Sequence, residues 1–297
     1  MKKLSAMVMA GVMALGMVGC GSTAAEAPAE STVPAAESTA AETTESTAEA
    51  QTETADAQTE AGRQFVVGFD AEFPPYGYKD DSGEYVGFDL DLAQEVCDRL
   101  GWTLVKQPID WDAKDMELNS GAIDCIWNGF TMTGREDEYT FSKPYVDNSI
   151  VYVVRADSDI QTEADLAGKH VITQAGSSAL SALQDESKAD VVNSFASLDE
   201  IADYNTAFMN LEAGTNDAIA VDIGVAQYQL TTKADKFRML EEPLSTEQYA
   251  IGFKKGNEEL RDQVQATLDE MAEDGTLAEI AAKYKDYNLD QMLCLGK

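Results

Sequence analysis

From Gln64 onward, short segments rich in β-branched and aromatic residues alternate with segments whose apolar residues recur at helical spacing. Gln64–Phe69 predicts a first strand, and Phe88–Leu100, which a glycine follows, predicts a helix. Residues 102–107 and 123–127 predict two further strands, with a short helix between them. This alternation is typical of an α/β fold with a largely parallel sheet, because parallel strands need long crossover connections.

The alternation restarts after residue 149. The predicted strands of this second unit cover 150–154, 170–173, 191–192 and 218–221, and its predicted helices cover 179–186, 199–213 and 224–230. Segment 249–253 is predicted to return to the first unit, where two closing helices follow. Two parallel-type α/β units joined by two crossings predict a bilobed fold with a hinge and a cleft. We therefore assign 63–149 and 250–297 to lobe 1 and 150–249 to lobe 2.

Residues 1–19 predict a secretory signal peptide. Two lysines precede an uncharged run of apolar and small residues, and this run is too short for a comfortable membrane span. Met17-Val-Gly-Cys20 resembles the lipobox of bacterial lipoproteins, in which the cysteine is lipidated and becomes the new N-terminus. The alternative is a plain signal peptide followed by an incidental cysteine. Lipidation of Cys20 would anchor the protein to the cell membrane outside the cytoplasm.

Residues 20–62 predict a disordered acidic tether. They consist mainly of Ala, Thr, Ser, Glu and Gln and contain no Lys or Arg. Such a segment cannot bury enough apolar surface to offset its ordering entropy. Over the whole chain 54 acidic residues oppose 21 basic ones, for a formal net charge of −33. That sign argues against nucleic-acid binding and carries no inference about the substrate.

Cysteine and histidine usage does not indicate a metal site. After Cys20 the chain has three cysteines, Cys97, Cys125 and Cys294. Their number is odd and their spacing matches no zinc site, so buried thiols are predicted. A single disulfide stays open as an alternative, without a preferred pair. His170 is the only histidine and is predicted at the surface, where a strand starts. With no catalytic triad, metal cluster or phosphate-binding glycine loop evident, no catalytic residue, metal or cofactor is predicted.

Segment Asn128-Gly-Phe-Thr-Met-Thr-Gly-Arg135 follows a predicted buried strand. Its free backbone N–H groups, the Thr131 hydroxyl and the guanidinium of Arg135 can converge on one small anion. Arg is suited to bidentate binding of a carboxylate, so this segment predicts a carboxylate-binding corner. The alternative is that Arg135 lies on the surface and forms an ion pair with Glu136 or Asp137.

The order of these segments resembles the polar amino-acid class of bacterial extracellular solute-binding proteins, the receptors of ABC importers. The resemblance covers nearly all of residues 64–287. It is carried by Gly68-Phe-Asp-Ala-Glu-Phe-Pro-Pro-Tyr76, Tyr85-Val-Gly-Phe-Asp-Leu-Asp-Leu-Ala93, Gly129-Phe-Thr-Met-Thr-Gly-Arg135, Phe141-Ser-Lys-Pro-Tyr145, Asp165-Leu-Ala-Gly-Lys169, Gln174-Ala-Gly-Ser-Ser178 and Ala220-Val-Asp222. It implies the periplasmic-binding-protein fold, a monomer, a membrane permease as partner and no enzymatic activity.

One departure from the family pattern concerns the carboxylate-binding corner. Family members usually have one more residue between the threonine and the arginine than this chain has between Thr131 and Arg135. Arg135 is nevertheless the only arginine within reach of the corner. Gly134, which precedes it, can supply the backbone freedom to direct its side chain.

An α-amino acid offers a carboxylate, an ammonium group and a side chain. Arg135 and the N–H groups near Thr131 are expected to bind the carboxylate from lobe 1. Ser177 and Ser178 are expected to add donors from lobe 2, at a helix N-terminus. The alternative for Ser177 is a simple N-cap.

The family pattern places Asp222, at the end of a predicted strand, as the partner of the ammonium group. The backbone carbonyl of Gly129 is expected to contribute to the same site. The alternative for Asp222 is an N-cap for the helix that follows.

The side-chain pocket is expected to comprise Asp70, Glu72, Phe73, Tyr76, Trp111 and Asn128. For the three aromatic residues the alternative is packing in the core. Asp70 either binds a basic or polar ligand tip or only orders its own loop. These acidic groups favour a polar or basic L-amino acid.

Two other functions stay open beside import of an amino acid. A few relatives of this fold are cyclohexadienyl dehydratases, and Glu72 or Asp70 could serve as the acid that such chemistry needs. The other open function is that of a ligand-binding partner of a separate sensor protein. The genes adjacent to this one, encoding either a permease or a sensor kinase, would separate import from sensing.

Overall fold

The computed structural model describes residues 62–297. The predicted signal peptide, Cys20 and the tether lie outside these described residues. The described chain forms two sheets flanked by helices, together with a small three-stranded sheet. None of its helices combines the length and the apolar character that a bilayer crossing requires.

The strands are β1 (Gln64–Phe69), β2 (Glu72–Phe73), β3 (Gly77–Lys79), β4 (Tyr85–Val86), β5 (Thr103–Pro108), β6 (Cys125–Ile126), β7 (Tyr139–Phe141), β8 (Val146–Arg155), β9 (His170–Gln174), β10 (Ser197–Ile201), β11 (Ala218–Asp222), β12 (Phe237–Met239), β13 (Ser245–Tyr249) and β14 (Gly252–Lys254). The helices are α1 (Phe88–Leu100), α2 (Lys114–Ser120), α3 (Ser178–Gln184), α4 (Ala189–Ser194), α5 (Tyr204–Ala213), α6 (Ile223–Thr232), α7 (Glu258–Asp274), α8 (Thr276–Ala282) and α9 (Leu289–Met292). Short 3-10 turns occur at Trp111–Ala113, Glu163–Leu166, Glu186–Lys188 and Lys285–Tyr287.

The first sheet has the order β5-β1-β6-β14-β7. β1 pairs in parallel with β5 and β6, whereas β14 is antiparallel to β6 and β7. Phe65, Val67 and Phe69 of β1 share one core with the apolar face of α1. Leu118 of α2 packs with Ile126 of β6 in a separate cluster. Successive side chains of a strand point to opposite faces, so each face of this sheet is buried by helices.

The second sheet has the order β10-β9-β11-β8-β12, with β13 paired to β8. Its β10, β9 and β11 are parallel, and β8 is antiparallel to β11, β12 and β13. Ile219 and Val221 of β11 share a core with α5, while Ala218 and Ala220 pack in the cluster that includes α3. The predicted bilobed α/β fold is therefore present, and its sheets are mixed where largely parallel ones were predicted.

Two paired strands connect the sheets. β8 and β13 run antiparallel in continuous register from the Ser245–Ile150 pair to the Tyr249–Val146 pair. β8 begins four residues before the predicted lobe boundary at 150, inside the segment that leaves the first sheet. The lobe boundaries at 149/150 and 249/250 stay a prediction.

Two predicted elements of the second unit are wrong. Residues 191–192 lie in α4 and not in a strand, because Val191 and Val192 pack against the lobe core as part of a helical turn. The predicted helix at 199–213 begins only at Tyr204, where Asp203 accepts a hydrogen bond from the Thr206 N–H at 2.7 Å. Residues 197–201 form β10, an edge strand that pairs with β9. Its polar residues gave no sequence signal for this pairing.

The three cysteines of the described chain have free thiols. Cys97 and Cys125 are buried, in agreement with the prediction, and Cys294 is partly exposed. Burial raises the pKa of the Cys97 thiol to about 12. Such thiols stay protonated and behave as small apolar side chains.

Candidate ligand-binding site

The site lies where strands of both sheets end. Asp70 follows β1 and Asn128 lies two residues beyond β6, while β9 and β11 end at Gln174 and Asp222. Ligands of open α/β sheets bind beyond the carboxyl ends of the strands. The sheets thus place these four polar residues at one edge, in the cleft between the two units.

A small cavity of about 10 Å³ lies in this cleft. It is lined by the predicted residues Phe73, Trp111, Gly129, Thr131, Arg135, Ser177, Ser178 and Asp222, and by Gln174. Three other predicted ligand residues, Asp70, Tyr76 and Asn128, do not line this cavity. Tyr76 is fully buried and packs its ring against Tyr249, with centroids 5.2 Å apart, as the core alternative proposed. Asn128 accepts a hydrogen bond from the Asp70 N–H at 3.0 Å and so orders the loop after β1.

Arg135 points across the cleft. Its guanidinium donates to the Thr131 carbonyl at 3.3 Å and to the Gly176 carbonyl of the opposite unit at 3.4 Å, and its Cζ lies 5.1 Å from the Phe130 ring centroid. Gly134 has a φ of 83°, a conformation that favours glycine, in the turn that leads to Arg135. Within residues 62–297, Arg135 forms no ion pair with Glu136 or Asp137.

A second cation of the site, Lys114, was missed by the sequence analysis. It is 6% exposed, and its Nζ donates to the carbonyls of Trp111 at 3.3 Å and of Gly176 at 3.2 Å. Burial, followed by the charge of Arg135, lowers the pKa of Lys114. Both cations therefore converge on the same neutral carbonyl, and a carboxylate bound there would stabilise both charges.

The two serines have different roles. The Ser177 hydroxyl caps α3: it accepts from the Leu180 N–H at 3.1 Å and donates to the Gln174 carbonyl at 2.7 Å. Its side chain is thus committed to the local structure. The Ser178 hydroxyl instead donates to Glu247 at 3.1 Å.

Asp222 is 3% exposed and does not cap the following helix α6 with its side chain. Its Oδ1 accepts hydrogen bonds from the Tyr249 hydroxyl and from Asn148 Nδ2, the latter at 2.8 Å, which leaves Oδ2 for another donor. Burial, and then the charge of Glu247, raises the pKa of Asp222 to about 7. A cation placed beside it would stabilise the charged form.

Glu247, on β13, is the second group that the sequence analysis missed. It is 8% exposed, and Asn148 Nδ2 donates to its Oε1 at 2.8 Å, the same length as its bond to Asp222. Asp222 and Glu247 therefore form a buried carboxylate pair in the cleft, bridged by Asn148. In the described chain neither acid has a cation within salt-bridge distance.

Gly129 keeps the floor of the cavity open. Its φ is 55°, and a Cβ added here would lie 2.9 Å from the Tyr249 ring and 3.0 Å from the Phe73 ring. Asp89, which is fully buried, accepts the Gly129 N–H at 2.6 Å and so fixes this turn. Burial raises the pKa of Asp89 to about 7.

An acidic groove lies next to the cavity, and Trp111 lines both. The groove is lined by Asp70, Ala71, Glu72, Pro108, Ile109, Asp110, Trp111, Glu117, Ala202 and Asp203. Asp70 orders its own loop by accepting the Glu72 N–H at 2.8 Å, and it also accepts Gln174 Nε2 at 2.6 Å across the cleft. Its pKa is raised to about 6, chiefly by burial.

The three buried carboxyl groups predict how stability depends on pH. In the folded state the pKa values of Asp70, Asp89 and Asp222 are about 6, 7 and 7, against 3.8 for the ordinary group. The folded protein therefore retains protons that the unfolded chain has released, so the stabilisation is complete below pH 4 and is lost as pH rises through 7. Without amino acid present, we expect the Tm to fall from pH 5 to pH 8.

Differential scanning calorimetry at several pH values measures this effect. Asp89→Asn should reduce the slope, whereas Asp98→Asn, at an exposed position of α1, should leave it unchanged. A Tm that rises between pH 5 and pH 8 would contradict the raised pKa values.

The chain matches the model of the bacterial extracellular solute-binding proteins, family 3, over residues 65–287. L-cystine-binding protein TcyA of Bacillus subtilis is 31% identical over 222 residues, which are 74% of this chain and 80% of that protein. L-cystine-binding protein TcyJ of Escherichia coli is 29% identical over 222 residues, covering 74% of this chain and 81% of that protein.

Solved structures agree in fold. A Streptococcus pneumoniae ABC uptake transporter substrate-binding protein with bound histidine superimposes with a TM-score of 0.72 at 33% identity, covering 74% of this chain and 92% of that one. Tv2483 bound to L-arginine gives a TM-score of 0.73 at 28% identity, covering 79% and 94%. AncCDT-1, an ancestral amino acid-binding protein described as a precursor of cyclohexadienyl dehydratase, gives 0.68 at 27% identity, covering 74% and 95%. The chain belongs to the bacterial extracellular solute-binding proteins, family 3.

Proposed function

We propose that this protein is the substrate-binding component of an amino-acid ABC importer and captures a polar or basic L-amino acid between its lobes. One observation carries this proposal. Arg135 and Asp222 come from opposite units and line the same cavity. Neither forms an ion pair within the described residues, so each charge is available to a zwitterion.

The ligand would connect the two lobes through its charges. Its carboxylate would accept hydrogen bonds from Arg135, with Lys114 as a second cation beside it. Its ammonium group would donate to Asp222 and to the Gly129 carbonyl. Closure around the ligand excludes water, and the contacts that exist only in the closed state favour closing. The closed form would then be delivered to a membrane permease.

The acidic groove supports a polar or basic side chain. A ligand tip passing between Phe73 and Trp111 would reach Asp70, where Glu72 and Asp203 add negative charge. One relative is named for L-cystine, and two solved relatives have histidine or L-arginine bound; all three ligands carry polar or charged groups beyond the α-carbon. The importer role is supported by family membership and by the structural relative described as a substrate-binding protein of an ABC uptake transporter.

A thermal-shift screen against the common amino acids, cystine and ornithine tests the proposal. A ligand at a hundred times its Kd should add roughly 2.7 kcal/mol of stability. Glycine and N-acetylated amino acids serve as controls, because the first has no side chain and the second have no ammonium group. A screen in which no free amino acid shifts the Tm would overturn the proposed function.

We also propose the anchored form, with a signal peptide at 1–19, lipidation at Cys20 and a tether to residue 62. A protein starting at Arg63 should bind its amino acid as tightly as the mature lipoprotein, because the tether lacks the composition to form part of the site. Cys20→Ser should release the protein from the membrane without changing the Kd. A weaker Kd after removal of the tether, or a Cys20→Ser protein that stays in the membrane fraction, would contradict this assignment.

Dehydratase chemistry is the second candidate, because AncCDT-1 is described as a precursor of such an enzyme. The two acids offered for it are both engaged in contacts between the lobes: Asp70 accepts Gln174 Nε2, and Glu72 accepts Asn205 Nδ2. Incubation with prephenate or arogenate distinguishes the candidates. Formation of an aromatic product would favour the enzyme, and its absence together with a thermal shift by a free amino acid would favour the receptor.

A further inference from the structure

Glu247 lies at the meeting point of the two lobes and the hinge. It belongs to β13, one of the two strands that connect the sheets, and its Oε1 accepts three hydrogen bonds. The donors are Thr131 Oγ1 at 2.6 Å, Asn148 Nδ2 at 2.8 Å and Ser178 Oγ at 3.1 Å. Thr131 belongs to the first unit, Ser178 to the second, and Asn148 to the other connecting strand.

These bonds determine what two hydroxyl groups can offer to a ligand. A hydroxyl has one proton and two acceptor lone pairs. The protons of Thr131 and Ser178 both point to Glu247, so the two oxygens face the cavity that they line as acceptors only. Acceptors suit an ammonium group and repel a carboxylate. The sequence analysis had placed the Ser178 hydroxyl on the carboxylate side, as a donor.

We infer that Glu247 is a positioning residue of the ammonium site, which orients the Thr131 and Ser178 hydroxyls as acceptors and adds a second negative charge beside Asp222. This inference rests on the proposed function, since it concerns the ammonium group of a bound amino acid. Asn148 donates to both carboxylates at 2.8 Å and holds them at one place. Because the donors to Glu247 come from both lobes, its hydrogen bonds depend on closure of the cleft.

The pair of Asp222 and Glu247 also makes the affinity for an ammonium group depend on pH. Asp222 titrates near pH 7 because it is buried beside Glu247. The other titratable groups around it are Tyr76, Tyr204 and Tyr249, whose pKa values are all raised, so they remain neutral at that pH. Arg135 lines the same cavity. An ammonium group needs the charged form of Asp222, so its affinity should fall about 100-fold between pH 8 and pH 5.

Glu247→Gln separates charge from hydrogen bonding, because the amide oxygen can still accept the three bonds at Oε1. We expect the carboxyl resonance of Asp222, followed by ¹³C NMR without amino acid, to titrate at lower pH in this variant. Glu242→Gln, at an exposed position shortly before β13, is the matched control and should change nothing. An Asp222 titration that Glu247→Gln leaves in place overturns the inference, whatever the protein binds.

Binding of L-cystine, L-histidine and L-arginine, measured by calorimetry from pH 5 to pH 8, gives the second readout. With the tightest of the three as probe, Glu247→Gln should flatten the loss of affinity on acidification, and Glu247→Met should weaken binding about tenfold or more at pH 8. Ser178→Ala should weaken binding of the probe in the wild type but add little in the Glu247→Met background, because coupled residues are not additive. Additive effects of Ser178→Ala and Glu247→Met on binding would show that Glu247 does not act through the Ser178 hydroxyl. If no amino acid of the thermal-shift screen binds the wild type, the proposed function fails, and the NMR titration alone decides the role of Glu247.

Discussion

Replacing Arg135 by alanine is expected to weaken amino-acid binding by about 30-fold to several thousand-fold while the protein still folds. Removal of one partner of a buried charge pair costs roughly 2–5 kcal/mol, mainly because the other charge is left without compensation. Arg135 has only neutral carbonyls as partners in the cleft, so its loss breaks no ion pair of the described chain. Calorimetric titration measures the effect, and circular dichroism confirms folding.

Two further variants sharpen this experiment. Arg135→Lys keeps the charge but loses the planar guanidinium that binds a carboxylate bidentately. The affinity of this variant for the amino acid should therefore lie between those of the wild type and Arg135→Ala. Arg261→Ala is the matched control, because Arg261 binds Asp262 and the Phe141 carbonyl away from the cleft. Wild-type affinity in a folded Arg135→Ala protein would place the carboxylate site elsewhere. The short spacing from Thr131 would then be the first suspect, and Lys114 the next cation to replace.

Most of the architecture could be predicted where burial and periodicity coincide. β1 and α1 have the predicted bounds, and α1 ends at Gly101 in a left-handed cap as predicted. The small sheet of β2, β3 and β4 was missed because its strands have two or three residues, too few to show a period. β10 was missed for a different reason. It is an edge strand with acidic residues, so its identity depends on the neighbour β9 and not on its own composition.

The candidate site likewise contains residues that could be predicted from the sequence and residues that could not. Asp222, at the end of β11, and Arg135, in the segment after β6, could be placed because the topology of an α/β sheet brings the carboxyl ends of its strands together. Lys114 could not, since a lysine at a helix start is ordinarily solvated. Glu247 did carry a signal: it lies two positions before the apolar Tyr249 in β13, and alternation puts both on the buried face. An acidic residue on a buried face is uncommon and was worth a hypothesis.

Replacing Asp222 by asparagine is expected to weaken binding of the amino acid by at least about tenfold, or about 1.4 kcal/mol. The change keeps the shape and an Oδ1 that Asn148 and Tyr249 can still donate to, and it removes the charge that faces the ammonium group. The measurement belongs at pH 8, because the pKa of Asp222 is about 7 and the carboxylate is charged there. At pH 5 the difference between wild type and variant should nearly vanish, since Asp222 is then protonated in the unliganded protein.

Two controls make the ammonium assignment specific. Asp217→Asn makes the same change just before the other end of β11, where the carboxylate accepts the His170 N–H at 2.9 Å, and should leave the affinity unchanged. N-acetylation of the ligand removes its positive charge and should be as damaging to the wild type as Asp222→Asn is to the free amino acid. Because both changes remove the same attraction, N-acetylation should cost the variant little more. An N-acetyl amino acid that binds the wild type as tightly as the free one would refute both the role of Asp222 and the amino-acid class.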